Sequence, residues 1–252
     1  RYDASSTYLR ALVVGLINTL AVAVVGVVLA TGLGTVIGLL RLSKNFLLRS
    51  LRGAYMEFIR NVPLLVQLFF WYALITEGLP APREALSPLP GVFLTNRGLF
   101  FPTFSGVPEL QGFNFAGGGV LSPEFAALLV GLSIYTASFI AEIVRAGVLA
   151  VPRGQWDAAR AVGLPERDVL RHVVAPQALR VVVPPLTSQY LNLTKNSSLA
   201  VAIGYPDLVS IANTAINQTG QAIEGIAIIM AVYLTISLAI SALMNWYNAR
   251  LR

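Results

Sequence analysis

Few residues in this chain are of a type that does chemistry, and their spacing points to passage rather than to bond-making. Ser188, Asn192, Lys195 and Asn196 fall at the i, i+4, i+7 and i+8 positions of a helix, so they share one face. Ser197 and Ser198 follow directly. The stretch around them is otherwise largely apolar, and an ionisable side chain in lipid marks a pathway or a structural pair. A single ammonium there suits a substrate carboxylate. Glu142, in another apolar stretch, suits an ammonium group, and Tyr190 supplies an amphipathic wall. The candidate substrate pathway is therefore Glu142, Tyr190, Asn192, Lys195, Asn196, Ser197 and Ser198. Two structural readings compete with it: a Lys195–Glu142 ion pair, and a local pair of Glu142 with Arg145 one turn on.

The means of covalent catalysis are missing from the sequence. There is no cysteine, so disulfides, thiolate metal sites and a cysteine nucleophile are excluded. One histidine, His172, cannot build a histidine metal site alone. Neither HExxH nor GxSxG occurs, which argues against an intramembrane enzyme. A P-loop needs Gly-Lys, but Lys44 follows Ser43 and Lys195 follows Thr194. No metal or cofactor is expected in the chain itself. If ATP supplies the energy, ATP and Mg are bound by a partner.

The elements that must hold these residues are long and apolar. Residues of hydrophobic type make up 56% of the chain and charged ones 12%, where a soluble domain carries about 25% charged. Mean hydropathy is +0.69. A helix needs about 20 mostly apolar residues to cross a bilayer, and five stretches qualify: about 11–40, 55–77, 125–149, 181–203 and 222–246. The expected architecture is all-α and multi-pass, one transmembrane domain over 1–252. The segments 41–60, 145–180 and 250–252 hold 13 of the 18 basic residues, while 78–124 holds only Arg83 and Arg97. The positive-inside rule makes the first set cytoplasmic. The net charge of +6 is then a matter of topology and does not call for nucleic acid. Segment 78–124, rich in Pro and Gly, reads as an ordered outside loop with short strands. At the start of the second span, Arg60 and Asn61 order the cytoplasmic end, and Pro63 is placed to kink the helix. No signal peptide precedes the first span, and residues upstream of Arg1 are expected.

Small residues recur along the first span: Ala11, Gly15, Thr19, Ala23, then Gly26, Ala30, Gly34 and Gly38. Such ladders let helix backbones approach closely in lipid. They serve either packing inside the subunit or a face for a partner subunit.

The loop 150–180 is polar, yet it lies between two spans. Asp157 to Val162 favours a helix with an acid in its first turn. Gly163 suits a left-handed C′ position, and Pro165 the first position of a second helix. Val169, Leu170, Val173 and Val174 then share a face, and Pro176 is expected to end that helix before span four. This helix pair is either an interfacial anchor or a dock for a cytoplasmic partner. Ala158, Ala159, Ala161 and Gly163 favour the dock, because small side chains allow close approach.

DAARAVG…VVAPQAL resembles the EAA loop of permease subunits of bacterial ABC importers, the MetI-like family of binding-protein-dependent transporters. Asp157 stands where that family usually has Glu, and Ala175 where Leu often precedes the proline. RNVPLLVQLFFWY, YTASFIAEIVRAG, GQWDAARAVGL and LTKNSSLAVAIGYPDL are similar to the polar amino-acid branch. VFLTNRGLFFP, FNFAGGG and NWYN look most like general or acidic-type L-amino-acid permeases. Those relatives tend to be longer, so residues are expected to be absent near 104–109 as well as before Arg1. The resemblance implies a multi-pass permease of the bacterial inner membrane. Its partners would be cytoplasmic ABC ATPase subunits, a homologous or identical permease, and a periplasmic amino-acid-binding protein. Its cargo would be an L-amino acid, moved by alternating access. Asp157, Ala158, Ala159, Ala161, Gly163, Leu164 and Pro176 would couple it to the ATPase. The rival reading is an ion-coupled secondary transporter with Glu142 and Lys195 as a charge relay. It leaves the cytoplasmic helix pair without a purpose, and the sequence lacks the internal repeat common in such folds.

Overall fold

The computed structural model describes residues 7–40, 46–104 and 106–251. The side chains of 46–52 fall outside that description, as do Arg41 and Lys44, on which part of the charge asymmetry rests.

Helix α1 (Tyr8–Leu40) has no side that is strongly polar, and small residues decide which side packs. Its buried positions are Ala11, Gly15, Thr19, Val22, Ala23, Gly26, Ala30, Gly34 and Gly38, which is the expected ladder with Val22 added. The ladder packs inside the subunit. A Cβ at Gly34 would stand 2.7 Å from Ile140, one at Gly38 2.7 Å from the Ala141 carbonyl, and one at Gly15 2.9 Å from Leu208 Cα. Ile140 and Ala141 belong to α4 (Pro123–Leu149), the most enclosed long helix. Ser122 caps α4 by accepting from the Phe125 N–H at 3.2 Å, with Pro123 in the first turn. One core cluster joins Val22, Leu64, Leu68, Leu128, Leu132 and Ile203. A second joins Ala30, Ile140, Val144, Val182, Leu186 and Leu193.

The stretch 55–77, expected as one span, is two helices. α2 (Phe46–Asn61) and α3 (Leu64–Gly78) meet at a bend of 103°. Pro63, at the α3 cap, causes the break: it lacks an N–H and its ring disfavours helix in the residue before it. The carbonyls freed by the bend are recovered by one buried side chain. Gln67 Nε2 donates to Ile59 O at 2.8 Å and to Val62 O at 2.9 Å.

The described residues of the loop 78–124 form six short strands. β1 (Leu86–Leu89), β2 (Val92–Thr95), β3 (Gly98–Phe101) and β6 (Gly119–Leu121) form an antiparallel sheet in the order β1-β2-β3-β6, and β4 (Glu109–Gln111) pairs with β5 (Asn114–Ala116). Phe115 holds the two sheets together, with its ring 4.4 Å from that of Phe93 and 5.2 Å from that of Phe100.

After α5 (Arg153–Ala161), α6 (Glu166–Asp168) runs into a π-helical segment, Val169–Val174, and on into α7 (Ala175–Asn196). Pro176 therefore does not end the helix as expected. The widened π turn just before it accommodates the missing N–H and the ring, which would strain a regular α turn. Pro165 also moves one place: it flanks the helix as its cap instead of opening it. α7 tightens into a 3-10 segment, Ser197–Ile203, and α8 (Leu208–Thr219) departs at 52°. α9 (Ala222–Leu251) completes the chain and buries no residue fully. Among the described residues three helices, α1, α4 and α9, are long and apolar enough to cross a membrane, or up to five spans if each bent pair is one.

Candidate functional site

The loop 150–180 is built around a tight, capped turn. Gly163 has φ +82°, and its N–H donates to Arg160 O at 2.9 Å while the Leu164 N–H donates to Ala159 O at 3.2 Å. These are the two bonds of a Schellman cap, which only a residue free of Cβ strain adopts cheaply. Across the turn, Arg160 Nε donates to Glu166 Oε1 at 2.8 Å and Nη1 lies 3.7 Å from Asp157 Oδ1. The Glu166 hydrogen bond holds the Arg160 guanidinium above its usual range. Trp156 lies under the same guanidinium at 5.7 Å.

The two faces of α5 differ. Ala159 points inward and packs with Val148, Val151, Val169, Val174 and Ala178. Val169 and Val174 of the second helix are thus used inside the subunit, while Leu170 of the same expected face is 41% exposed. Asp157, Ala158, Ala161, Gly163 and Leu164 are exposed, and Val162 is 77% exposed beside them. Of the expected docking set, then, Ala159 is a support and the others form an outward ridge. A cavity of about 340 Å³ lined by Val148, Leu149, Arg153, Trp156, Asp157 and Arg160 adjoins that ridge. Pro176 is exposed at the start of α7.

The expected substrate residues do not come together at one place. Glu142 lines a polar cavity of about 330 Å³ with Glu57, Arg60, Asn61, Met56 and Gly53. Arg60 lies 4.6 Å from the centroid of the Phe139 ring, a position that fixes its guanidinium at the cavity edge. Glu142 forms a short ion pair with Arg145, which is the local alternative of the two structural readings. Lys195 forms no salt bridge among the described residues. Ser188, Asn192 and Lys195 do share one exposed face of α7, and Asn196 is half-buried beside it. Tyr190 lies elsewhere: its hydroxyl accepts from Thr31 Oγ1 at 3.0 Å, and it borders an apolar groove of about 470 Å³ between α1 and α9. Ser197 and Ser198 turn back to their own helix, donating to Thr194 O and Lys195 O, each at 2.7 Å. They shape the end of α7.

Glu57 and Gln67 are the residues that sequence reasoning undervalued. Glu57 supplies the second carboxylate of the polar cavity. Gln67 makes the bend between α2 and α3 possible. The signal for it was a lone amide three residues into an apolar run that follows a proline.

The family model of the binding-protein-dependent transport system inner membrane component matches residues 30–252. The chain belongs to this family of transporter permeases. It is 47% identical to a putative amino-acid ABC transporter permease protein, YhdX, of Escherichia coli K12, with 99% of this chain and 80% of that protein covered. It is 43% identical to the general L-amino acid transport system permease protein AapQ of Rhizobium johnstonii, with 99% and 78% covered. Both alignments extend over 315 residues, so these relatives carry residues within the matched region that this chain of 252 lacks. The fold is that of the crystal structure of an amino acid ABC transporter with histidines: TM-score 0.72, 27% identity, 96% of this chain and 95% of that one covered. An inward-facing methionine ABC transporter, at 19% identity and TM-score 0.69, shares the fold. The chain is thus a multi-pass membrane permease subunit of an ABC importer, a pore component and not an enzyme. Membership implies ATPase and binding-protein partners, and the ion-coupled alternative is not favoured.

Proposed function

We propose that this permease carries L-amino acids received from a periplasmic binding protein across the inner membrane. It works beside an identical or homologous permease and is driven by two ATPase subunits that hold the ATP and Mg. The exposed ridge Asp157–Leu164 carries the coupling half of this reading. A permease must present the motor with something small, rigid and close to its own helices. α5 is short, locked by the Arg160 clasp, and seated through Ala159 on the ends of α4 and α7. A push on the ridge therefore reaches two long helices directly. The difference in contacts between the two motor states is what shifts the pore between inward and outward access.

The polar cavity supports the amino-acid half. A zwitterion needs anionic oxygen for its ammonium and donors for its carboxylate. Glu57 and Glu142 offer the first, and Arg60 and Asn61 the second, around one space of about 330 Å³. This assigns Arg60 and Asn61 to the substrate in addition to their structural role. Lys195 and Asn192, on the exposed face of α7, would line the same pathway where a second permease closes it. A cavity that addresses the groups common to all amino acids fits a broad substrate range.

The test is a mild-detergent pull-down of the permease from native membranes. Wild type should bring down an ATPase subunit. Ala161→Trp should lose it while remaining folded. Wild type that carries no ATPase yet moves amino acids in vesicles would overturn the reading.

A further inference from the structure

Arg60 shares its cavity with two carboxylates and forms a salt bridge with neither. Glu57 lies one helical turn before it on α2, at the i, i+3 spacing where opposite charges on a helix ordinarily pair. No salt bridge joins the two, and Arg60 enters none among the described residues. Glu142, on α4, is instead paired with Arg145. What Arg60 does meet is an aromatic face: its guanidinium carbon stands 4.6 Å from the centroid of the Phe139 ring.

The ring is placed by its neighbours. Tyr135, Phe139 and Glu142 fall at i, i+4 and i+7 of α4 and so share one face. The rings of Tyr135 and Phe139 lie 5.2 Å apart at 60°, one of the inclined contacts that aromatic pairs favour. The hydroxyl of Tyr55, on α2, donates to Ile134 O at 2.8 Å and ties α2 to the same stretch of α4. Phe139 is half-buried, whereas Glu57 and Arg60 are exposed. An exposed arginine has many rotamers to choose from. Without the ring, the acid one turn away is the natural partner for its charge.

A ring face and a carboxylate hold a guanidinium in different ways. The face attracts the charge and uses none of the five N–H donors. A carboxylate takes two of them in its fork. We propose that Phe139 is a positioning residue: it keeps the Arg60 guanidinium off Glu57, so that Arg60 retains its donors for a substrate carboxylate and Glu57 its oxygens for a substrate ammonium group. This rests on the reading of the cavity as the amino-acid site. It adds the class that the cavity recognises, an α-amino acid with both charged groups present, over an amine that offers only one. Phe139 acts through Arg60 and needs no contact with the substrate.

The test uses the permease–ATPase complex purified in detergent, without a binding protein. It is titrated with L-alanine and with L-alaninamide, and binding is read by saturation-transfer NMR, which reaches weak affinities. The amide keeps the ammonium group and lacks the carboxylate. Wild type should prefer alanine by about 10-fold or more, as a charged hydrogen bond implies. Phe139→Leu, which keeps bulk without the ring face, should lower that preference roughly 3-fold or more. Phe139→Tyr, which keeps the ring, should restore it. On an Arg60→Gln background, Phe139→Leu should change alanine affinity no further, because it acts through Arg60. A merely structural ring would weaken both ligands alike and add to Arg60→Gln, and either result would overturn the proposal. A preference that Arg60→Gln abolishes and Phe139→Leu leaves intact would overturn the positioning role alone. Wild type that binds the two ligands equally, or neither, would instead overturn the cavity as the amino-acid site.

Discussion

Gly34 and Gly32 lie two residues apart on α1 and face different surroundings, so the same substitution at each isolates the packing of the small-residue ladder. A Cβ at Gly34 would sit 2.7 Å from Ile140 Cβ and Cγ2 and 3.0 Å from the Ala137 carbonyl. Carbon atoms in favourable contact stand about 3.5–4.0 Å apart, so α1 and α4 would have to separate by roughly 1 Å. Ile140 is fully buried and β-branched, with no second rotamer to move into cheaply. Overpacking of this kind costs about 1–3 kcal/mol. At Gly32 a Cβ meets nothing within 4 Å, and the change to Ala there adds helix propensity worth up to about 1 kcal/mol in water. Gly34→Ala should therefore melt below wild type by roughly 2–12 °C, taking about 2–4 °C per kcal/mol for a chain of this size. Gly32→Ala should melt at or slightly above wild type. The assay is intrinsic-fluorescence melting of the purified permease in one detergent at one scan rate, since membrane proteins unfold irreversibly and the midpoint is then rate-dependent. Equal melting of the two variants would refute the packing of the ladder against α4. A loss confined to the assembled complex, absent from the isolated subunit, would return the ladder to the role of a partner face.

Gln67→Leu strands the Ile59 and Val62 carbonyls at the bend, at about 1–3 kcal/mol for each buried orphan; a melting point unchanged from wild type would show that the bend does not depend on this amide. Glu142→Gln keeps shape but removes the charge offered to an ammonium group, so amino-acid uptake in reconstituted vesicles should fall roughly 10-fold or more, as loss of a charged hydrogen bond implies. Arg60→Gln should act at the same cavity, and uptake equal to wild type in both variants would take the cavity out of the substrate pathway. Arg160→Met breaks the clasp on an exposed face, where ion pairs contribute little to stability. Its melting should be unchanged while ATP-driven uptake falls, and a fall in melting with intact uptake would make the clasp structural only.

How much was legible follows from which interactions are local. The Schellman turn at Gly163 could be read from the sequence because its determinants lie within six residues: a small apolar run, a glycine and a proline. The ladder on α1 could be read as a packing face because helical periodicity places every fourth residue on one side. Whether that face met its own subunit or another was not legible, since Leu208 and Ile140, its partners, lie far away in sequence. The same limit explains the split of the expected substrate residues. Helical spacing correctly gathers Ser188, Asn192 and Lys195 on one face, but it is blind to the direction in which that face points relative to Glu142.

Prolines marked the broken elements without saying how each break would be resolved. At Pro63 the chain bends by 103° and Gln67 recovers the carbonyls; at Pro176 a π turn absorbs the ring and the helix continues. The difference lies in what surrounds the proline. The segment before Pro176 is held by Val169 and Val174, both buried against Val148 and Ala178, so the axis is fixed and the backbone widens. Around Pro63 the α2 side lines a polar cavity through Glu57, Arg60 and Asn61, and Gln67 satisfies the carbonyls that the bend frees. Packing on either side of a proline, rather than the proline itself, thus decides between a hinge and a through-going helix. In this permease the outcome is a continuous helical run from the turn at Gly163 into α7 and a bent corner where Glu57, Arg60 and Glu142 line one cavity.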